Sequence, residues 1–379
     1  MKLLIAADIF PPQSGGPATY AVTLANELKS QGVEVTIVSL NHNSDPLVVS
    51  CRVFAVRFKN KLLRYLQYLW LLLKYSGKAD LVYAMGPVNA GLPAWLAARL
   101  RRKKFVVKVV GDYAWEQSTQ RFGVTDSIAV FQKQRHYSTV VQFLKWLESF
   151  VVRHADRVIV PSDYLRGIVT GWGVKPDNVA VIYNAVELKA VAPAAKPAEE
   201  RWIISAGRLV PWKGMEALIS IMTEIVTEFP NVKLKIIGDG PEREKLRLKT
   251  EDLRLKDCVE LLGNLPHEKT LAYLAVADLF VLNSGYEGLS HMLLEALSFG
   301  RPVLASDVGG NPEVIIKNQT GELFEYNNRV QIRERIREFL QNPSLHLPKL
   351  SPSDLFFDRF KLSTMIAKTK QTLEKICAS

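Results

Sequence analysis

Short apolar runs alternating with helical-period segments constrain this chain more than any other feature, because a parallel sheet covered by helices is the fold that uses such an alternation. The run LLIAA is followed by a glycine-containing loop, FPPQSGGPATY, then by a periodic segment, AVTLANELKSQG, that stops at Gly32, and then by VEVTIVSL. Together these spell a βαβ unit. CRVFAV, DLVYAM, FVVKVV, RVIVPS and VAVIYN return at intervals of roughly 20 to 40 residues, with helical patterns between them. Residues 188–200, LKAVAPAAKPAEE, break the alternation with Ala and Pro, the composition of a stiff connector and a hinge. Beyond them it restarts: WIISAGR, a helix over 214–228, VKLKIIGDG, a helix over 242–250, VELLGN, a helix over 267–275, LFVLNS, a helix over 289–299, and RPVLASD.

The expected fold is therefore α/β, with two Rossmann-like domains, 1–187 and 188–361, facing each other across a cleft at the carboxyl ends of their strands. A length of 379 residues agrees with two domains at about 150 residues each. The amphipathic segment LSTMIAKTKQTLEKI is expected to form a C-terminal helix within 362–379 that crosses back to the first domain. The three cysteines, Cys51, Cys258 and Cys377, form no CxxC pair, which argues for a reducing compartment and against a disulfide framework or a zinc site. The apolar run before Asp8 is short for a secretory signal, and no run of about 18 apolar residues follows. A cytoplasmic protein, at most peripheral at the inner face of a membrane, is expected.

The net charge of +11 lies in one half of the chain. Residues 1–185 hold 23 Lys and Arg against 12 Asp and Glu, whereas the remainder holds 26 of each. A basic half favours an anionic partner: a nucleic acid, an acidic lipid surface or a phosphorylated substrate. KLLRYLQYLWLLLKY at 61–75, with Lys59, Lys61, Arg64, Lys74 and Lys78 in and around it, reads either as a buried sheet-covering helix or as a segment lying on an anionic membrane. RRKK at 101–104 adds to this basic face or is solvated charge.

The chemistry centres on GYEGLSHMLLEALSFG at 285–300, where Glu287 and Glu295 bracket a loop-to-helix junction. Eight helical steps would span about 12 Å, comparable to the distance from sugar to ribose in a nucleotide sugar. Free N–H groups at the helix start suit a diphosphate, and carboxylates suit sugar hydroxyls. The alternative is a pair of surface charges favoured by the helix dipole. AGRLVPWKG at 206–214 puts Arg208 and Lys213 at a strand's carboxyl end, where a leaving diphosphate needs positive charge. GDGPE at 238–242, LLGNL at 261–265, NSGYEG at 283–288 and RPVLASDVGGNPEVI at 301–315 complete an ordered set.

That set resembles the retaining glycosyltransferases of family 4, the group 1 glycosyl transferases with the GT-B fold, strongly over about 200–325 and more loosely over the first half. Glu287 and Glu295 match the family's pair of glutamates eight apart. The resemblance implies transfer of a sugar from a nucleoside-diphosphate sugar to an acceptor hydroxyl, with Glu295 on the ribose and Arg208 and Lys213 on the diphosphate. Glu287 and the backbone of Gly288, Leu289, Ser290 and His291 would meet sugar and phosphate, and Asn264 and Leu265 the base. Gly15 and Gly16 in GGPATY stand where the family brings backbone close to donor phosphate or acceptor; a simple tight turn is the alternative. VVGDYAWEQS at 109–118 has Gly111 and Asp112 where many relatives carry a histidine. Asp112 is the candidate for that role, with Glu116 second on the acceptor side.

No HxH, HExxH or Asp-x-Asp occurs, so no metal and no cofactor beyond the sugar nucleotide is expected. The acceptor is expected to be a glycan or lipid-linked molecule. Two other readings share these features: a sugar-nucleotide epimerase of the same architecture, and a non-catalytic nucleotide- or nucleic-acid-binding module. The second lacks any recognised nucleic-acid motif.

Overall fold

The computed structural model describes residues 1–11, 16–41, 49–187, 191–343, 348–349 and 354–378. The chain divides into two compact units, one of Met1–Tyr183 with Ser363–Ser379 and one of Asn184–Leu362.

The first unit holds seven parallel strands: β1 (Lys2–Ala7), β2 (Glu34–Ser39), β3 (Arg52–Ala55), β4 (Leu81–Ala84), β5 (Lys104–Lys108), β6 (Arg157–Val160) and β7 (Val179–Val181), in the order β3-β2-β1-β4-β5-β6-β7. β1 pairs with β2 from Lys2 opposite Glu34 to Ala7 opposite Ser39, and with β4 on its other side. Five consecutive buried residues, Leu3 to Ala7, explain why the sequence runs apolar without alternating: both faces of the strand are covered. On one face Leu4, Ala6, Val82, Ala84, Phe105 and Val107 form a core with the helices Lys61–Ser76, Gly91–Leu100 and Thr139–Arg153. The C-terminal helix Leu362–Ala378 contributes buried Met365, Ile366 and Leu373, and Lys370 reaches the carbonyl of Gln31.

The second unit repeats the plan with six parallel strands: β8 (Arg201–Ala206), β9 (Val232–Ile237), β10 (Val259–Gly263), β11 (Leu279–Leu282), β12 (Val303–Ser306) and β13 (Glu322–Phe324), ordered β10-β9-β8-β11-β12-β13. Its core joins Ile203, Leu234, Ile236, Val281 and Leu304 to Leu218, Met222 and Ile225 of the helix Met215–Glu228. In each sheet the chain leaves the first strand toward one side and the fourth toward the other. The loops after β1 and β4, and after β8 and β11, therefore flank a switch point, where parallel sheets bind ligands. Of the connector 188–200, residues 188–190 lie outside the described residues, and the rest is irregular.

Candidate active site

At the switch point of the second unit, the loop from Gly207 to Gly214 and the loop from Asn283 to Ser290 are tied together. The Gly285 amide donates to the Trp212 carbonyl at 2.6 Å, and the Asn283 side-chain amide donates to the Gly214 carbonyl at 2.9 Å. Gly214 has φ +55°, and a Cβ there would stand 2.3 Å from Asn283 Nδ2, so no other residue fits this junction without moving it. The stitching puts Lys213, at the end of a short 3-10 turn, against Glu287: their side chains form an ion pair, and Ser284 Oγ donates to the same carboxylate oxygen at 2.8 Å. Arg208 is exposed, and among the described residues no hydrogen bond or ion pair engages its side chain.

The helix at 291 is short, His291–Ser298, and opens two residues later than the apolar periodicity suggests. Ser290 is its N-cap, its hydroxyl accepting from the Leu293 amide at 3.3 Å, and Gly288 and Leu289 are loop. Only the steps from His291 onward are helical, so the 12 Å span based on helical rise does not carry over. The amides of Gly288, Leu289 and Ser290 donate no hydrogen bond among the described residues, which leaves them available at a helix start. The loop is braced from behind by Gly309 and Gly310. The Gly310 amide donates to the Glu287 carbonyl at 3.0 Å, and a Cβ on Gly309 would stand 1.9 Å from that carbonyl oxygen. This close approach accounts for the GG in RPVLASDVGGNPEVI.

Glu295, in the second turn of this helix, is buried, and its Oε2 has no hydrogen-bond partner among the described residues. Burial pushes its carboxyl up to about 8. Its Oε1 lies 3.6 Å from Nε2 of His267, which begins the helix after the Asn264–Leu265 loop. The structure thus brings Lys213, after β8, against Glu287, after β11, and sets Glu295 beside His267, which follows the Asn264–Leu265 loop after β10. His267 and Ser284 are additions. Ser284 lies within NSGYEG and His267 two residues beyond LLGNL, and neither carries a signal of its own.

In the first unit Gly16 opens the helix Gly16–Ser30, and Gly15 lies outside the described residues. Asp112 is where the structure departs most from expectation. Instead of a free carboxylate facing a ligand, it is the buried N-cap of the helix Tyr113–Arg121: Oδ1 accepts from the Trp115 amide at 2.7 Å and Oδ2 from the Gln132 side chain. A second buried carboxylate, Glu148, supports the same helix end, accepting from the amides of Tyr113 at 3.0 Å and Ala114 at 2.9 Å. Burial raises the carboxyl of Asp112 to about 6, against the lowering effect of its hydrogen bonds, and burial together with the neighbouring Asp112 charge raises that of Glu148 well above the ordinary range. Glu116, one turn along, is half-buried. At the first unit's own switch point stand Asp8 after β1 and Asn89 after β4, with Asn89 Nδ2 3.5 Å from Asp8 Oδ2. Tyr65 and Tyr113 both donate to Asn89 Oδ1, at 2.9 and 3.3 Å. Asp8, directly behind LLIAA, could have been found by the switch-point rule alone.

With this geometry, two family models account for most of the chain: one described as glycosyl transferases group 1 matches residues 188–350, and one described as a glycosyl transferase 4-like domain matches residues 15–185. The chain belongs to the group 1 glycosyltransferases of the GT-B fold. The GPI3 subunit of phosphatidylinositol N-acetylglucosaminyltransferase from Saccharomyces cerevisiae is 31% identical over 210 residues, 52% of this chain and 46% of that protein. The chain spans about a third to a half of the length of the curated relatives it matches. Among solved structures, sucrose-phosphate synthase from Thermosynechococcus elongatus superposes with a TM-score of 0.81 at 20% identity, covering 100% of this chain and 99% of that one. Anabaena HepE in complex with UDP superposes with a TM-score of 0.77 at 19% identity, covering 99% and 100%.

Proposed function

We propose that this group 1 glycosyltransferase moves a sugar from a nucleoside-diphosphate sugar to an acceptor hydroxyl, with retention at the anomeric carbon. One observation carries the reading: at a single switch point Lys213 is held on braced loops with Arg208, three amides at Gly288 to Ser290 and one oxygen of the buried Glu295 carboxyl, all without partners among the described residues. Each has one task on a sugar nucleotide. Glu295 takes the ribose hydroxyls, and Asn264 and Leu265 flank the base. Arg208, Lys213 and the amides from Gly288 through His291 hold the diphosphate, and Glu287 faces the sugar.

The bond from the anomeric carbon to phosphate oxygen breaks with positive charge growing on the sugar and negative charge on the diphosphate. Preplaced cations and amides stabilise that separation without reorganising, which is the largest contribution such a site makes. The acceptor oxygen then bonds to the anomeric carbon from the side the phosphate leaves, and its proton passes to the departing phosphate oxygen. No covalent nucleophile is needed. Arg208 and Lys213 supply the positive charge in this scheme, so donor binding is expected to survive a chelator. Asp112 acts here as a helix cap, and Glu116 and the Gly15–Gly16 segment keep the acceptor-side role.

Anabaena HepE was solved with UDP, which makes UDP the first nucleotide to try. Thermal shifts with UDP, GDP and ADP and their sugars test the reading, since a ligand that binds only the folded protein raises its melting temperature by mass action. At least one nucleotide should raise it, and Lys213→Ala and Glu295→Ala should each abolish the rise. No rise with any of them, or unchanged rises in both variants, overturns the proposal. Products formed with and without an acceptor separate transfer from epimerisation.

A further inference from the structure

The helices Lys61–Ser76, Gly91–Leu100 and Thr139–Arg153 cover the same face of the first sheet, and each leads directly into the start of the next strand. Their N-terminal halves therefore stand level with the strands' carboxyl ends, beside Asp8 and Asn89. Those halves are unusual on their outer side. On Lys61–Ser76, Leu62, Leu66 and Trp70 recur four apart as an exposed stripe, with Leu62 70% accessible, while Tyr68, Leu71 and Leu72 fill the core. On Thr139–Arg153, Val140, Phe143 and Trp146 form a second exposed stripe, and the Trp146 ring stacks on Phe143 at 5.8 Å and on Phe150 at 5.2 Å. Phe58, just before the first helix, is exposed as well.

The charges around both stripes have one sign. Arg57, Lys59 and Lys61 are exposed beside the first, and no acidic residue occurs between residues 52 and 79. Lys133 and Arg135 are exposed before the second, and none occurs between 127 and 147. No helix among the described residues is long and apolar enough to cross a membrane. We infer that this rim, built from Leu62, Leu66, Trp70, Phe143 and Trp146 and ringed by lysine and arginine, docks on the surface of an anionic lipid bilayer. Apolar tips enter the headgroup region while the cations meet lipid phosphates. A second copy of the chain fits less well, because pairing the rim with itself would oppose like charges. The docking surface stands apart from the proposed transfer reaction. Combined with that reading, it names the acceptor class as a molecule anchored in the same bilayer.

Sedimentation with phosphatidylcholine vesicles, with and without phosphatidylglycerol, tests the inference, and it requires no turnover. The chain should be retained on phosphatidylglycerol vesicles and released by salt. The pairs Leu66→Glu with Trp70→Glu, and Phe143→Glu with Trp146→Glu, should each lower retention about tenfold or more. All four positions are solvent-facing, so unchanged melting temperatures should show that the variants fold. No retention at low salt, retention of both variants at the unsubstituted level, or a change confined to self-association overturns it.

Discussion

In the second unit the loops leaving β8 and β11 carry a lysine and a glutamate that pair with each other; in the first, those leaving β1 and β4 carry an aspartate and an asparagine joined to two tyrosine hydroxyls. The strand order is the same over six strands, and the unit without a basic excess, Asn184–Leu362 with 23 Lys and Arg against 25 Asp and Glu, is the one with cations at its switch point. Net charge is thus a poor guide to where a diphosphate would be held. The basic excess of the first unit lies on its outer helices, where it suits a surface, whereas the second unit concentrates a few groups where loops are braced. Buried carboxylates divide the same way. Asp112 and Glu148 hold a helix end, while Glu295 has one oxygen without a hydrogen-bond partner among the described residues.

The comparison breaks first at nucleotide binding. Lys213→Ala and Glu295→Ala should weaken binding of the active nucleotide by about ten- to a hundredfold, the range for losing a hydrogen bond to a charged group, whereas Asn89→Ala should leave it unchanged. Calorimetric titration decides; an equal loss from Asn89→Ala would erase the division between the units.

Stability should show the reverse preference. Glu148→Ala strands two buried amides and is expected to cost about 2–4 kcal/mol in urea unfolding, while Glu295→Ala removes a carboxyl already short of partners and should cost less.

The pH dependence sharpens the contrast further. The raised carboxyls of Asp112 and Glu295 keep their protons to higher pH in the folded than in the unfolded chain. Their contribution is therefore fully present below the ordinary carboxyl range and lost as pH rises, up to about 6 for Asp112 and about 8 for Glu295. The melting temperature should fall between pH 5 and 8 on this account. Asp112→Asn should flatten the lower part of that fall and Glu295→Gln the upper part; a curve unchanged in both variants would show that neither carboxyl governs it.

Much of this was legible in the residues. Unalternated apolar runs announced strands covered on both faces, and a fixed sequence of glycine-bearing loops located the second unit's switch point. An aspartate before Tyr113, Ala114 and Trp115 is an ordinary N-cap pattern, and that is the role in which the structure shows Asp112. Glu148, 36 residues further on, is invisible to any local rule because only folding brings it to the Tyr113 and Ala114 amides. For KLLRYLQYLWLLLKY the buried-helix reading holds for one side, and the other side is the exposed stripe on which the inferred docking rests.

The Lys213–Glu287 pair sets a threshold for admission. Glu287 is the protein's own counter-ion for Lys213, so an incoming anion competes with a carboxylate already in place, fixed by Ser284. A diphosphate can add Arg208 and three amides to that contest, whereas a single small anion reaches fewer of them. Ambient phosphate is therefore expected to compete poorly with a carboxylate carried in the chain itself, and Glu287→Gln should let inorganic phosphate raise the melting temperature where the unsubstituted chain shows no response.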